Sequence, residues 1–213
     1  MDILLIICGA IMAYMIGSLP TSVWLGEAYF GIDVRKYGSG NAGATNTFRV
    51  LGKKAGIIVM LVDIFKGWTA TSLALILYFM DAISAESIIQ FKLLFGILAV
   101  VGHIFPVYVN FKGGKGVATL LGMALAIHLE ASLLCVLIFI IVLLTSKYVS
   151  LGSMIATLAF PILLLIPRFN PEEPLLNIFG FVLFAIVALT HQKNIVRLIN
   201  GEENRTTIRL KKK

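Results

Sequence analysis

Two short segments combine glycine, small polar residues and positive charge in the pattern that an anionic group requires. The first is Gly38-Ser-Gly-Asn-Ala-Gly-Ala-Thr-Asn-Thr-Phe-Arg49, and the second is Phe111-Lys-Gly-Gly-Lys-Gly-Val-Ala-Thr119. Glycine lets backbone N–H groups converge, and such a cluster beside a cation suits phosphate. In the first segment Gly38, Gly40 and Gly43 supply backbone freedom. Ser39, Asn41, Thr45 and Asn46 supply neutral hydrogen-bonding groups, and Arg49 supplies a forked, permanent charge. The plainer reading is a polar turn between helices in which Arg49 serves only orientation. The density of Ser, Asn, Thr and Arg in this short stretch weighs against it.

The second segment follows Gly102-His-Ile-Phe-Pro106. It is not a nucleotide-hydrolysing P-loop. That motif needs Gly five residues before the Gly-Lys pair and Ser or Thr after it, and here Val109 and Gly116 stand at those places. What remains is Lys112 and Lys115 among Gly113, Gly114 and Gly116, at the expected start of a helix. A helix N-terminus with two ammonium groups can take an anion. The alternative is a basic turn that only sets orientation.

Three further groups of polar residues lie elsewhere. His191, Asn194, Arg197 and Glu202 close the last apolar stretch, and the first three are spaced to share one helical face. Asp63 and Lys66 sit three residues apart inside an apolar stretch, where ionisable groups are costly and usually paired, so a structural ion pair is the first reading. Ser150 opens another stretch, where a helix cap accounts for it as well as a substrate contact does. His128 reads as an outer-turn residue without a role. The scattered His and Cys lack metal-ligand spacing, and Cys8 and Cys135 read as small hydrophobes rather than a disulfide.

The elements that must position these groups are membrane helices. Of 213 residues 59% are hydrophobic and 14% charged, with mean hydropathy +0.95, whereas an ordinary soluble domain carries about 25% charged residues. The predicted spans are 3–25, 55–79, 85–106, 116–128, 131–146, 149–167 and 174–191, against a requirement of about 20 apolar residues each. The fourth and fifth are short and could turn at His128-Leu-Glu-Ala131, so five or six spans stay open. Asp2 in place of a basic N-region, and the length of the first apolar run, argue against a cleaved signal peptide.

Charge orders these spans. Arg35, Lys36, Arg49, Lys53, Lys54, Lys112, Lys115, Lys147, Lys193, Arg197, Arg205, Arg209, Lys211, Lys212 and Lys213 fall on one side of a seven-span chain. Arg168 falls on the other, with Asp2, Asp81, Glu86, Glu130, Glu172 and Glu173. The positive-inside rule then puts the N-terminus outside and the C-terminus in the cytoplasm. The net charge of +7 reports this topology and contact with anionic lipid, not nucleic acid. Pro167–Pro174 reads as an outer turn. No soluble domain, internal repeat or linker is evident, so residues 1–213 read as one polytopic membrane domain.

At these motifs the chain resembles the bacterial membrane acyl-phosphate:glycerol-3-phosphate acyltransferase family, PlsY. The segments Gly38–Arg49, Gly102–Thr119 and His191–Glu202 match in order, with Asp63-Ile-Phe-Lys-Gly67 and Tyr148-Val-Ser150 between them. The resemblance covers essentially the whole chain. It implies a multi-pass enzyme of the bacterial inner membrane with its site facing the cytoplasm. The implied reaction moves a fatty acyl group from acyl phosphate to the 1-hydroxyl of glycerol 3-phosphate, giving lysophosphatidic acid and phosphate. Acyl-CoA and acyl carrier protein are not direct donors in the family.

Carried onto this chain, Ser39, Arg49, Lys115, His191 and Asn194 would act at the reacting groups. Gly38, Gly40, Asn41, Gly43, Thr45, Asn46, His103, Lys112, Gly113, Gly114, Gly116, Thr119, Ser150 and Arg197 would bind substrate. Membrane lipids are the expected surroundings. No metal, cofactor, nucleic acid or obligate protein partner is expected.

The chemistry is consistent with that. Acyl phosphate is a mixed anhydride with a good leaving group, and two phosphorylated substrates give a reason for more than one basic segment. No His is followed by Asp five positions on, so the dyad of soluble-type acyltransferases is missing. Electrostatic stabilisation and positioning become the main expected effects. The resemblance implies that a substrate phosphate oxygen takes the hydroxyl proton, with His191 as the alternative base. The readings from other classes are an organic-anion transporter and a non-catalytic lipid-binding protein. A transporter would place polar groups near the midplane on broken helices and often show a repeat.

Overall fold

The computed structural model describes residues 2–170 and 174–206. Glu172, Glu173, Arg209, Lys211, Lys212 and Lys213, which enter the charge pattern above, lie outside the described residues, as does part of the Pro167–Pro174 turn. Among the described residues all regular structure is helical. The chain forms two compact units, Met1–Leu129 and Glu130–Lys213.

In the first unit α1 (Ile3–Gly17) begins at Asp2, whose Oδ1 accepts from the N–H groups of Leu4 and Leu5 at 3.1 and 3.3 Å. The expected first span does not run on to residue 25. Pro20 lacks an N–H and disfavours helical backbone at Leu19, so the chain breaks and restarts as α2 (Thr21–Phe30), bent by 42°. Gly31 ends α2 in the left-handed conformation at φ +68°. α3 (Ala44–Val50) is short and leads through Gly52 into α4 (Lys53–Phe79). With 27 residues at 1.5 Å each, α4 is about 40 Å long. It packs against α5 (Ile88–Ile104) and α6 (Val117–Ile127).

Small residues make that packing close. A side chain on Gly67 of α4 would run into the Thr119 carbonyl of α6, and one on Gly122 of α6 into the Ile64 carbonyl of α4. Membrane helices associate without a hydrophobic drive between them, so backbone approach and van der Waals contact take its place. Between α1, α4 and α5 lies a core of Ala13, Ala70, Leu73, Ala74, Leu77, Phe95 and Ala99. The opposite faces carry exposed Ile57, Ile58, Leu61, Phe65 and Ile76, an apolar exterior suited to lipid.

The helix break expected near His128 is present: α6 ends at Ile127 and His128 is extended. The second unit holds α7 (Leu129–Ser146, whose first residue closes the first unit), α8 (Val149–Leu164), α9 (Pro174–Thr190) and α10 (Gln192–Ile199). α8 packs on α9, where a side chain on Gly180 would stand 2.9 Å from the Pro161 Cβ. α10 turns away from α9 by 67°.

Among the described residues three helical stretches are long and apolar enough to cross a membrane: α4, Ala85–Val109 including its 3-10 ends, and α7. The count is five if the bent pairs α1–α2 and α9–α10 are each one span. α6 and α8, with 11 and 16 residues, are apolar but shorter. Cys8 and Cys135 are both free thiols.

Candidate active site

The first basic segment is shaped by two side chains. Asn46, 1% exposed on α3, accepts from the Ser39 N–H at 2.8 Å and donates to the carbonyls of Val34 and Tyr37 at 2.8 and 3.1 Å. This clasp draws residues 34–39 over α3, with Gly38 and Gly40 at φ +61° and +73°. A side chain on Gly38 would strike the Asn46 amide oxygen, so glycine is required there twice over. Ser22 of α2 fixes the far end by donating to the Ala42 carbonyl at 2.8 Å. The result presents Ser39, Thr45 and Arg49 at the surface. Among the described residues none bonds the Ser39 hydroxyl or the Arg49 guanidinium.

The second brace is Arg35, which sequence reasoning used only as a topology charge. Its guanidinium grips Asp33 through Nε–Oδ1 at 3.0 Å and Nη2–Oδ2 at 2.9 Å. It also donates Nη1 to the carbonyls of Val109 at 3.1 Å and Lys112 at 3.3 Å. The two basic segments are therefore tied together by one side chain. The Arg35 hydrogen bonds hold the Asp33 carboxyl below its ordinary range, although partial burial opposes this.

The second segment turns sharply after Pro106, with Asn110 and Phe111 both left-handed at φ +56° and +58°. Gly113 N–H donates to the Ile104 carbonyl and Gly114 N–H to the His103 carbonyl, each at 3.1 Å. These two amides, expected as phosphate ligands, are already occupied by the end of α5. Those that no described residue engages are Gly116, Val117 and Ala118, at the start of α6. Lys112 is exposed and Lys115 half-buried beside them. Thr119 is fully buried, with its hydroxyl lacking a partner among the described residues. His103 is buried beneath the loop, and the expected Asp63–Lys66 ion pair is present at 2.8 Å.

In the second unit the expected His-Asn-Arg face exists. His191 is the N-cap residue of α10, with Nδ1 placed 2.8 Å from the Val187 carbonyl. The acidic partner is Glu203, not Glu202, which is exposed. Glu203 accepts from Ser150 Oγ at 3.0 Å, Asn194 Nδ2 at 2.7 Å and Arg197 Nε at 2.8 Å. Ser150 is thus a partner of the tail rather than a helix cap; Tyr148 holds the cap position. Burial pushes the Glu203 carboxyl up, but the Arg197, Asn194 and Ser150 bonds together outweigh this and leave it below its ordinary range. A sequence signal for Glu203 existed in the acidic pair after Gly201, but periodicity cannot choose between neighbours beyond a helix end.

The first unit thus exposes cations and hydrogen-bond donors, whereas in the second the donors of Ser150, Asn194 and Arg197 converge on Glu203. Among the described residues no three His, Cys, Asp or Glu side chains group as metal ligands. An open groove of about 480 Å³ on α4 and α6 is lined by Leu61, Val62, Ile64, Phe65, Trp68 and Leu125 and suits only hydrocarbon.

Comparison with known proteins supplies the class of chemistry. Residues 7–201 match the sequence model of the family described as glycerol-3-phosphate acyltransferase. A glycerol-3-phosphate acyltransferase of Enterococcus faecalis is 42% identical over 212 residues, covering 95% of this chain and 93% of its own length. One from Chlorobaculum parvum is 40% identical over 219 residues, covering 92% and 94%. The fold is similar to a crystal structure of PlsY (YgiH), an integral membrane glycerol 3-phosphate acyltransferase, in its glycerol 3-phosphate form. The TM-score is 0.82 at 34% identity, over 94% of this chain and 95% of that one. The lysophosphatidic acid form gives 0.78 at 34% identity, over 94% of each. Sequence and fold agree across both units: this acyltransferase belongs to the glycerol-3-phosphate acyltransferase family.

Proposed function

We propose that the acyl donor is acyl phosphate and the acceptor is the 1-hydroxyl of glycerol 3-phosphate, in a chain of seven spans with its basic segments in the cytoplasm. The observation that carries this is the pair of basic segments joined by Arg35, which expose Ser39, Arg49 and Lys112 to anionic groups. The hydroxyl oxygen forms a bond to the acyl carbon, the bond from that carbon to the phosphate oxygen breaks, and phosphate departs. The hydroxyl proton goes to a substrate phosphate oxygen. Arg49 and Lys115 balance the charge that grows on the departing phosphate. Ser39 orients the acceptor by hydrogen bonds. The orphan amides at the start of α6 add the positive end of a helix dipole.

Seven spans require α6 and α8 to cross in spite of their length, and the segregation of Lys and Arg supports that reading. The decisive assay uses purified protein with palmitoyl phosphate and glycerol 3-phosphate, measuring phosphate release and lysophosphatidic acid. Comparable rates with palmitoyl-CoA as sole donor, in phosphate-free components, would sink the donor assignment. For topology, single cysteines at Ser84 and Glu130 in a background lacking Cys8 and Cys135 should label from outside sealed cells. Outside labelling at Thr45 or Gly113 would overturn the orientation.

A further inference from the structure

His103, at the end of α5, is 7% exposed and is constrained from two sides. On one side its Nδ1 stands 3.6 Å from Oδ1 of Asp63, the same oxygen that holds Lys66 Nζ at 2.8 Å. Lys66 also donates to the Leu19 carbonyl at 3.0 Å, which fixes the pair to the break between α1 and α2. On the other side His103 Nε2 occupies the place where a side chain on Gly114 would begin, and Cε1 and Cδ2 lie 3.0 and 3.1 Å from it. The Gly114 N–H closes back onto the His103 carbonyl at 3.1 Å.

These ionisable groups lie inside helices read as spanning the membrane, where such groups are expensive and functional by default. The loop above them holds two non-glycine residues in left-handed conformations, which persist only when neighbours enforce them. At Gly114 it is the His103 ring that stands against the backbone of this loop.

We infer that His103 is a positioning residue for the second basic segment. The Asp63–Lys66 pair anchors its ring among the helices. The ring, wedged against the bare Cα of Gly114, sets the backbone from which Lys112 and Lys115 project. Gly114 is then glycine because His103 fills its side-chain space, not because a phosphate approaches it. This rests on reading that segment as a substrate-binding element.

Four proteins test it: wild type, His103→Ala, Gly114→Ala and the double variant, assayed for lysophosphatidic acid from palmitoyl phosphate and glycerol 3-phosphate. His103→Ala should raise the glycerol 3-phosphate KM about tenfold while kcat falls less, the mark of a misplaced binding loop. Gly114→Ala should lower kcat/KM about 100-fold or fail to accumulate as folded protein, because the new methyl meets the ring. The double variant should recover to the level of His103→Ala, about tenfold above Gly114→Ala, since the ring has gone and the two sites are coupled. Losses that simply multiply, a double variant that stays unfolded, or a His103→Ala protein with unchanged KM would each overturn the inference. A wild type that makes no lysophosphatidic acid would instead sink the acyl-transfer reading. The same compensation, or its lack, would then be read from the thermal midpoints of the four proteins in detergent.

Discussion

Arg35→Ala should loosen the junction between the two basic segments. The guanidinium donates to the carbonyls of Val109 and Lys112 at 3.1 and 3.3 Å while gripping Asp33. A hydrogen bond from a charged donor contributes about 1.5–3 kcal/mol. The Arg35 side chain is 22% exposed, so water competes and about 1 kcal/mol for each carbonyl bond is a fairer figure. Losing both costs about 2 kcal/mol, a factor of about 30 in the docked population, at 1.4 kcal/mol per tenfold. The apparent affinity for a ligand of the docked state falls in proportion to that population, so about 30-fold is the ceiling on the rise in KM. Arg35→Lys keeps a charge beside Asp33 but has one compact ammonium where the guanidinium makes five contacts, and should recover only part of the loss. Asp33→Asn leaves both carbonyl bonds and should cost a few-fold at most. The assay is initial rate against glycerol 3-phosphate at saturating palmitoyl phosphate, with the exposed Lys36→Ala as control. An Arg35→Ala protein that purifies normally and keeps its KM within about twofold would refute the reasoning.

Arg49→Ala and Lys115→Ala should each lower kcat/KM by roughly 100-fold, about 2.7 kcal/mol of transition-state stabilisation, with little recovery in Arg49→Lys and none lost in the tail control Lys212→Ala. Near-full activity in the two alanine variants would reduce the basic segments to topology signals. Because the folded Glu203 carboxyl lies below its ordinary value, its contribution to stability is present above about pH 4.3 and is lost as pH falls through the folded value. Thermal midpoints of wild type and Glu203→Gln should therefore differ at neutral pH and converge on acidification; a gap that persists unchanged would count against the role. Gly122→Ala should lower the midpoint although alanine is the better helix former by about 1 kcal/mol, because the new methyl meets the Ile64 carbonyl of α4. An unchanged or higher midpoint would mean that the α4–α6 contact yields.

Local rules and composition were readable from the residues alone. Too few charges for a soluble domain made this a membrane chain, and the ordered glycine and basic motifs identified its family. The i, i+3 spacing of Asp63 and Lys66 announced their ion pair, because a lone charge among apolar residues is costly wherever the helix goes. Helical periodicity likewise put His191, Asn194 and Arg197 on one face. The break at Pro20 was legible too, from the missing N–H and the restriction on Leu19, but the apolar run across it masked the signal.

The partners that distant residues meet emerge in the folded chain alone. Arg35 reaches carbonyls 74 and 77 residues away, and no periodicity connects them. Asn46, read from its type as a substrate ligand, also clasps its own loop through backbone partners up to 12 residues away. Glu203 rather than Glu202 gathers Ser150, Asn194 and Arg197, because chain direction beyond α10 is set by those contacts and not by helical spacing. Gly113 and Gly114 read from sequence as glycines for phosphate, and the packing adds a separate need for glycine, since a side chain at either would collide with His103 at the end of α5. Residue type limits what a position can do chemically, but burial and the groups across from it decide which of those possibilities is used.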